Sequence, residues 1–315
     1  MFLAADIGGT KTLVALGDGA GVRFQRRYSN DAHGGVAHTL AAFLDDATAA
    51  GFAGRVTASC LALAGPVAPG ARCARLTNRS WAVDADELAR SLPLGAIRLL
   101  NDFAASAAGI ATLAAHETLT LQAGRPEDGA VRLALGPGTG LGVAACFDHG
   151  VLLASEGGHV GFAPQDETQD RLLEFLRTRL GAVRHVSIER VVSGAGLSAC
   201  YDYCAARPAQ LDPAEVSARA LGAADPDAVR ALDLFLAIFG AFAGDMALCF
   251  LARGGVFLMG GIVPKILSRL RAGAFLSAFN DKAEHAELVS SIPVVAVLAE
   301  DLGLRGALAT ASTGA

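Results

Sequence analysis

Apolar and polar positions along the chain form blocks of two kinds. Short apolar runs such as ASCLAL end at a glycine or a polar residue, and longer segments repeat apolar residues at helical spacing. Short runs bounded by turn residues are typical of buried strands, and the longer periodic segments are typical of helices. Because the two kinds alternate, the pattern favours a mixed α/β chain over an all-α or all-β one.

The predicted elements follow from these blocks. Strands are predicted at 2–6, 12–17, 57–63, 97–100, 131–135, 141–146, 256–259 and 293–297. Helices are predicted at 36–50, 84–91, 102–113, 168–179, 188–205, 214–222, 227–252, 263–271 and 302–312. The first hundred residues are rich in strands, and residues 165 to 285 are mainly helical. This difference indicates a small N-terminal domain followed by a larger one.

One apolar stretch, which begins at Ala231, could be mistaken for a membrane span. Asp233, Asp245 and Arg253 interrupt it, so no unbroken apolar run covers the ~30 Å of hydrocarbon that a span must cross. We expect a buried helix, a turn at Gly254 and a buried strand instead.

Composition and charge narrow the class of function. The chain has 315 residues, is 52% hydrophobic and carries a net charge of −5, which supports a sizeable core and provides no basic surface for nucleic acid or membrane. The six cysteines show no framework spacing, and the N-terminus lacks the features of a secretory signal. We therefore expect a cytoplasmic protein that acts on small molecules.

A glycine turn follows the first predicted strand, in the stretch DIGGTK that begins at Asp6. The amides of Gly8 and Gly9 are not covered by side chains, and consecutive exposed amides form a concavity that binds anions. Thr10 and Lys11 add a hydroxyl and a positive charge. Asp6 would repel a bare phosphate but suits one that carries Mg²⁺. An ordinary hairpin with Asp6 capping its turn fits the same stretch.

Two further glycine turns occur. Gly138, Thr139 and Gly140 lie in LALGPGTGLGVAA, between two predicted strands, where a phosphate could approach closely. Gly260 and Gly261 end the predicted strand of GGVFLMGGIVPK and precede a helix. Neither a Gly-Lys dipeptide nor GxGxxG spacing occurs, which excludes a Walker loop and a dinucleotide fingerprint. The three turns together favour a cleft for phosphate or nucleotide.

Several polar residues could carry chemistry. In LLNDFAA, Asn101 and Asp102 join a strand to a helix, where an acid is either a helix cap or a base at the mouth of a cleft. Glu156 and His159 flank two glycines in SEGGH, and Glu189 begins the next predicted helix. No HExxH helix or third ligand accompanies them, so a zinc site is not indicated. Taken alone, His159 is more typical of an ordinary hydrogen-bonded polar residue than of a ligand.

Seven ordered motifs resemble those of bacterial glucokinases, in the actin-like ATPase and sugar-kinase superfamily. They are DIGGTK, LTNRSW, LLNDFAA, GPGTGLGVA, SEGGHVGFAP, HVSIERVVSGAGL and MGGIVPK, and they span nearly the whole chain. Residues 160–190 contain no cysteine, so the resemblance is to the zinc-free branch and implies no structural zinc. The chain departs from the family pattern at Gly161, where an acid is expected, and in the looser match of EDLGLRGAL.

The resemblance implies roles for the candidate residues. Asp102 would be the general base on the 6-hydroxyl of glucose, with ATP as the phosphoryl donor and Mg²⁺ held by Asp6, directly or through water. The residues expected to bind the sugar are Asn78, Asn101, Asp102, Glu156, His159 and Glu189. The residues expected around the nucleotide are Asp6, Gly8, Gly9, Thr10, Lys11, Gly138, Thr139, Gly140, Gly260 and Gly261.

The resemblance also implies an architecture. We expect a ribonuclease H-like, two-domain α/β fold with an interdomain active-site cleft lined by Asp6, Asp102 and Glu156. The small domain would comprise residues 1–103 and a C-terminal helix in 299–315, and the large domain residues 104–298. We expect a homodimer that acts in glycolysis.

Three other functions remain to be weighed. A kinase of mannose, fructose or N-acetylmannosamine is the nearest alternative. A DNA-binding regulator of the same fold is disfavoured because Met1 begins almost directly on the first strand. A nucleotide-switch module would have no use for Asn101, Asp102, Glu156, His159 and Glu189.

Overall fold

The computed structural model describes residues 1–19, 21–52, 54–68, 70, 72–147 and 151–313. Residues 314 and 315, at the end of the predicted C-terminal segment, lie outside this set. The chain divides into two compact units. The first comprises residues 1–113 and 301–315, and the second comprises residues 114–300.

The first unit is built on a mixed sheet with strand order β3-β2-β1-β4-β7. Its strands are β1 (Phe2–Ile7), β2 (Lys11–Asp18), β3 (Gly21–Ser29), β4 (Ala58–Leu63), β5 (Cys73–Arg75), β6 (Ala82–Asp84) and β7 (Ala96–Asn101), of which β5 and β6 form a separate hairpin. Its helices are α1 (Val36–Ala49), α2 (Ala85–Ser91), α3 (Asp102–Gly109) and the C-terminal helix (Leu302–Thr313). β1, β4 and β7 run parallel to one another, whereas β1, β2 and β3 are antiparallel.

The core of the first unit lies between the central strands and α1. Leu3, Leu16, Leu40 and Phe43 are fully buried there, as the apolar runs of the sequence predict. β3 is an edge strand whose side chains are mostly exposed or half-buried, so its sequence, GVRFQRRYS, lacks the apolar run that would have predicted it.

The C-terminal helix packs against α3 through small residues. A methyl group at Gly306 would collide with the carbonyl oxygen of Ala105, and one at Gly109 would lie 2.5 Å from the carbonyl oxygen of Leu302. Glycine is therefore required where the two backbones approach. This packing places residues 104–113 in the first unit, so the unit boundary differs from the predicted domain boundary at residue 103.

The second unit contains a mixed sheet with strand order β11-β10-β9-β12-β13-β8. Its strands are β8 (Thr118–Gln122), β9 (Arg132–Pro137), β10 (Leu141–Cys146), β11 (Leu152–Ser155), β12 (Gly255–Leu258) and β13 (Val294–Val297). Its helices are α4 (Glu167–Arg179), α5 (Gly194–Cys204), α6 (Pro213–Leu221), α7 (Pro226–Phe250), α8 (Leu267–Leu270), α9 (Ala274–Asn280) and α10 (Ala286–Ser290). β9 pairs antiparallel with β10 and parallel with β12.

Helix α7 forms the centre of the second core. It is long and apolar enough to cross a bilayer by length and composition, but most of it is buried inside the unit. Phe235 and Phe239 are fully buried, and Phe239 packs edge-on against Phe275 of α9 at 5.1 Å between ring centroids. The predicted buried helix is confirmed.

Two predicted helices begin differently in the structure. The segment 188–205 starts as a 3₁₀ turn, Ile188–Arg190, and becomes helical at Gly194, because Ser193 accepts a hydrogen bond from the Gly196 amide and so caps α5. The segment 263–271 is a 3₁₀ turn, Val263–Ile266, followed by the single turn of α8.

Candidate active site

The carboxyl edge of the first sheet brings two acidic residues together. Ile7 of β1 pairs with Leu63 of β4, which pairs in turn with Asn101 of β7. Asp6 directly precedes the end of β1, and Asp102 directly follows the end of β7. Ligands of open α/β sheets bind at the carboxyl ends of parallel strands, and both carboxylates lie there.

Asp6 is half-buried at this edge. Burial raises the pKa of its carboxyl, and the positive charge of Lys11 partly offsets the increase. The C-terminal helix lies against this carboxylate, since a methyl group at Gly303 would be 3.2 Å from Asp6 Oδ2 and 3.5 Å from Ser106 Oγ. A carboxylate whose ionised form is disfavoured in the free protein is suited to a ligand that brings positive charge.

Asp102 is the first residue of α3, and the cap of that helix is Asn101. The amide oxygen of Asn101 accepts hydrogen bonds from Phe103 N at 2.9 Å and Ala104 N at 3.3 Å. Its amide nitrogen donates to the carbonyl oxygen of Gly65 at 3.2 Å. The interpretation of Asp102 as the helix cap is therefore wrong, because Asn101 performs that role. Because capping occupies the Asn101 side-chain oxygen, what this residue can offer a ligand is mainly the second N–H of its amide.

The pKa of the Asp102 carboxyl is raised to about 6. Burial is the main cause, and the negative charge of Asp6 adds to it. Hydrogen bonds act in the opposite direction; one is from Phe103 N to Asp102 Oδ1, at 2.8 Å. A carboxylate with this pKa is a stronger base than an exposed aspartate and is still ionised at pH 7.

The glycine turn between β1 and β2 follows Asp6. Gly8 N donates to the carbonyl oxygen of Lys11 at 3.0 Å, which closes the turn. The side chains of Thr10 and Lys11 are exposed, and Asn78 is exposed beside Gly9, with its Cβ 3.5 Å from where a methyl group on Gly9 would lie. The first unit thus brings together the predicted metal-phosphate residues and Asn78.

The second unit contains the predicted second hairpin, formed by β9 and β10. Gly138 N donates to the carbonyl oxygen of Gly140 at 2.8 Å, and Gly194 N donates to that of Gly138 at 2.9 Å. The resulting turn exposes Thr139. β1 with β2 and β9 with β10 thus form two antiparallel hairpins, each with a glycine turn.

Glu189 is attached to this turn. Its Oε2 accepts a hydrogen bond from Leu141 N at 2.9 Å, one residue after the turn ends. A methyl group at Gly140 would collide with Glu189 Oε2, so the carboxylate would have to shift and its bond to Leu141 N would be disturbed. Oε2 of this predicted sugar-binding residue is therefore used by the protein. Oε1 accepts no hydrogen bond from the residues that the structure describes, which leaves it for a hydroxyl.

Glu156 and His159 lie beside the same backbone. Glu156 precedes the 3₁₀ turn Gly157–His159 and His159 ends it, and a methyl group at Gly158 would collide with the carbonyl oxygen of Leu141. Both side chains are largely exposed, at 76% for Glu156 and 59% for His159, with 3.7 Å between His159 Nε2 and Glu156 Oε2. The structure thus places the turn that carries Glu156 and His159 beside Leu141, whose amide binds Glu189.

Gly260 and Gly261 follow β12, the parallel neighbour of β9. Gly260 has φ +93°, and a methyl group on it would lie 2.7 Å from the carbonyl oxygen of Pro137. Gly261 has open space where a side chain would be. The second and third glycine turns are therefore neighbours at the carboxyl edge of this sheet.

A magnesium ion fits the first unit only as a partner of phosphate. The described residues contain no group of three or more histidine, cysteine or acidic side chains that could hold a metal by themselves. Mg²⁺ is typically held by one or two carboxylates together with substrate phosphates and water. The half-buried Asp6 carboxylate beside an exposed glycine turn meets that description.

Three residues of the site were not predicted from the sequence. Asn30 and Arg79 bind carbonyl oxygens of the first glycine turn, and Gly303 lies beside Asp6. Arg79 lies within the motif LTNRSW, and Gly303 lies within EDLGLRGAL, so position in a motif was the available signal. Asn30 follows an exposed edge strand and stands out only through its complete burial.

Comparison with known proteins gives consistent matches along the chain. The glucokinase family model matches residues 3–314. The glucokinase of Synechocystis sp. is 35% identical, over 99% of this chain and 98% of its own length. A solved glucokinase from an Antarctic psychrotroph superposes with a TM-score of 0.88 at 30% identity, covering 99% of this chain and 98% of its own.

A third relative shows the fold alone. It is the ROK family glucokinase of Streptomyces griseus, solved with glucose and AMPPNP, with a TM-score of 0.65 at 20% identity over 99% of both chains. The mixed α/β fold is that of the actin-like ATPase sugar kinases, as predicted. With a family model that covers almost all of the sequence, the predicted family is confirmed, and the chain belongs to the glucokinase family.

Proposed function

We propose that this chain transfers the γ-phosphoryl group of ATP to the 6-hydroxyl of glucose, giving glucose 6-phosphate and ADP. The observation that carries the proposal is the Asp102 carboxyl, at the carboxyl edge of the sheet and with a pKa of about 6. General bases work best when their pKa lies near the operating pH. Family membership supports the reaction.

In the reaction, Asp102 accepts the proton of the 6-hydroxyl as the oxygen attacks the γ-phosphorus and the bond to ADP breaks. Phosphoryl transfer depends on positioning and on stabilising charge on the phosphoryl oxygens. Mg²⁺ bound with the phosphates supplies part of that stabilisation, and Asp6 would hold it directly or through water. The amides of Gly9 and Thr10, with the Lys11 ammonium, would supply another part, whereas the Gly8 amide is used within the turn.

The second unit would bind ring hydroxyls and further parts of the nucleotide. Glu156, His159 and the free oxygen of Glu189 offer acceptors and a donor around Leu141. Each buried polar group left without a partner costs about 1–3 kcal/mol, so such a set discriminates between epimers. In the first unit, Asn78 and the amide N–H of Asn101 would add donors. We assign the turn at Gly138, Thr139 and Gly140 to phosphate, and Gly260 and Gly261 to the nucleoside.

The assembly and location are part of the same proposal. A homodimer and a cytoplasmic site of action accord with the resemblance. The thiols of five cysteines are free, as expected in a reducing compartment: Cys60, Cys73, Cys200, Cys204 and Cys249. Light scattering of the purified protein at micromolar concentration would test the dimer. A mass equal to that of one chain would contradict it.

A kinetic panel tests the function. Purified protein would be assayed with ATP and Mg²⁺ against glucose, mannose, fructose and N-acetylmannosamine, with ADP release coupled to a dye and the product identified by ³¹P NMR. We expect the highest kcat/KM with glucose and a product phosphorylated at the 6-position. If no sugar in the panel led to ADP release, the proposal would be contradicted. If another hexose gave the highest kcat/KM, that hexose and not glucose would be the preferred substrate.

A further inference from the structure

The carbonyl groups of the first glycine turn are all held by residues outside the hairpin turn. Asn30 Nδ2 donates to the carbonyl oxygen of Gly8 at 2.8 Å, and Asn30 N donates to that of Thr10 at 2.9 Å. Arg79 Nε donates to the carbonyl oxygen of Gly9 at 2.8 Å. Asn30 is fully buried and also accepts from Thr12 Oγ1 at 2.7 Å, so its amide is fixed.

Holding these carbonyls determines where the amides point. In a trans peptide the C=O and the N–H of the next residue point in opposite directions. The bond to Gly8 O therefore directs Gly9 N–H away from Asn30, and the bond to Gly9 O directs Thr10 N–H away from Arg79. Neither amide donates a backbone hydrogen bond to any residue that the structure describes. Both are available to an anion.

Arg79 is itself held in place from several sides. Its Nη1 donates to the carbonyl oxygen of Asn30 at 3.3 Å, its Nη2 pairs with Asp31, and its guanidinium lies 4.8 Å from the centre of the Trp81 ring. The side chain is only 21% exposed. A planar guanidinium can satisfy three acceptors in one plane and still stack on an aromatic face, which a lysine ammonium cannot do.

We propose that Arg79 is a positioning residue for the phosphates of ATP: through the Gly9 carbonyl it directs the Thr10 amide at them. The inference rests on the proposed function for the identity of the anion. Arg79 itself makes no contact with the nucleotide in this account, because its donors are directed at the turn, Asn30 and Asp31. Its loss should therefore weaken nucleotide binding more than glucose binding.

The experiment compares two substitutions of Arg79 with a matched control. Arg79→Met removes every hydrogen-bond donor of the side chain. Arg79→Lys keeps the positive charge but loses the planar set of guanidinium donors. The control is Arg72→Lys, because Arg72 lies in the same unit and also binds a backbone carbonyl, that of Ile97 at 2.9 Å, and a carboxylate, that of Asp86. Binding of AMPPNP with Mg²⁺, and of glucose, would be measured by calorimetry after thermal unfolding confirms that each variant is folded.

We expect the Kd for AMPPNP to rise about tenfold or more in Arg79→Met and less in Arg79→Lys. The Kd for glucose should stay within about twofold of wild type, and Arg72→Lys should change neither. A folded Arg79→Met with normal AMPPNP affinity would overturn the inference, as would an equal loss of both ligands. Should Arg79→Met fail to fold, the same comparison in Arg79→Lys decides.

The same data separate this inference from the proposed function. A wild-type protein that phosphorylates glucose while Arg79 variants bind AMPPNP normally would overturn the inference alone. A wild-type protein that binds AMPPNP and phosphorylates no hexose would overturn the function alone, and the binding ratio would still decide the role of Arg79. Absence of AMPPNP binding in the wild type would overturn both.

Discussion

The Asp102 carboxyl has a pKa of about 6, to which burial and the negative charge of Asp6 both contribute. The two acids lie at the ends of parallel strands β7 and β1, and Lys11 is the charge that lowers the pKa of Asp6. Like charges held together at a sheet edge raise the free energy of the empty site. A cationic ligand relieves this repulsion, and pairs of perturbed carboxylates are typical of functional sites.

The first prediction concerns pH. Protonated Asp102 cannot accept a proton, so kcat/KM for glucose should fall as the pH drops through about 6, the pKa in the free protein. The measurement is a pH–rate profile at constant ionic strength with MgATP well below saturation, so that the free protein is the form that reacts. A profile that stays flat from about pH 5 to 7 would contradict the assignment of the base.

The second prediction concerns stability. An unfolded aspartate has a pKa of about 3.9, so the folded state loses stability as the pH rises from there through about 6, where Asp102 ionises. Asp102→Asn removes that loss, and Asn101 still caps α3. The melting temperature of the variant relative to wild type should therefore be higher at pH 7 than at pH 4. If the difference in melting temperature between variant and wild type were the same at pH 4 and pH 7, Asp102 would ionise as freely in the folded protein as in an unfolded chain.

The third prediction concerns the helix that adjoins Asp6. Gly303→Ala would place a methyl group 3.2 Å from Asp6 Oδ2, tighter than an ordinary contact, so the carboxylate must shift. We expect a higher Mg²⁺ concentration for half-maximal activity and little change in the KM for glucose. Gly34→Ala is the control, since its methyl group would meet only the His38 ring at 3.6 Å. If both variants needed the same Mg²⁺ concentration for half-maximal activity, Gly303 would have no part in positioning Asp6 for Mg²⁺.

The fourth prediction separates two acids of the second unit. Glu156→Gln should raise the KM for glucose alone, because the Glu156 side chain is largely exposed and holds no part of the glycine turn. Glu189→Ala should raise the KM for both glucose and ATP, because Oε2 binds Leu141 N beside the phosphate turn. The comparison uses steady-state kinetics with each substrate varied in turn. An unchanged KM for ATP in Glu189→Ala would show that the turn keeps its shape without this bond.

The fold was predictable where apolar runs are buried on both faces. β1, β4 and β9 read as continuous apolar runs because both sides of each strand are covered, and the predicted strands coincide with them closely. β3 is an edge strand whose side chains are exposed or half-buried, so its sequence carries no such signal. The start of α5 was missed because the cap, Ser193, lies inside an apolar segment.

The site was predictable only as far as its chemistry depends on local sequence. Glycine turns and an acid after a strand are local patterns, and Asp6, Asp102 and the second hairpin were found in this way. The residues that hold those groups come from distant parts of the chain. Arg79 reaches Gly9 across 70 positions, and Glu189 reaches Leu141 across 48, so only the folded chain shows the contact.

The turnover of Asp102→Asn with glucose and ATP shows whether the Asp102 carboxylate is the general base. The substitution keeps the size of the side chain, leaves the Asn101 cap in place and removes the proton acceptor, and general-base assistance is worth about 10²–10⁴-fold. We predict that kcat falls by about that factor while the Kd for glucose changes little. Wild-type turnover in the folded variant would contradict the account, because the reaction would then need no base at residue 102.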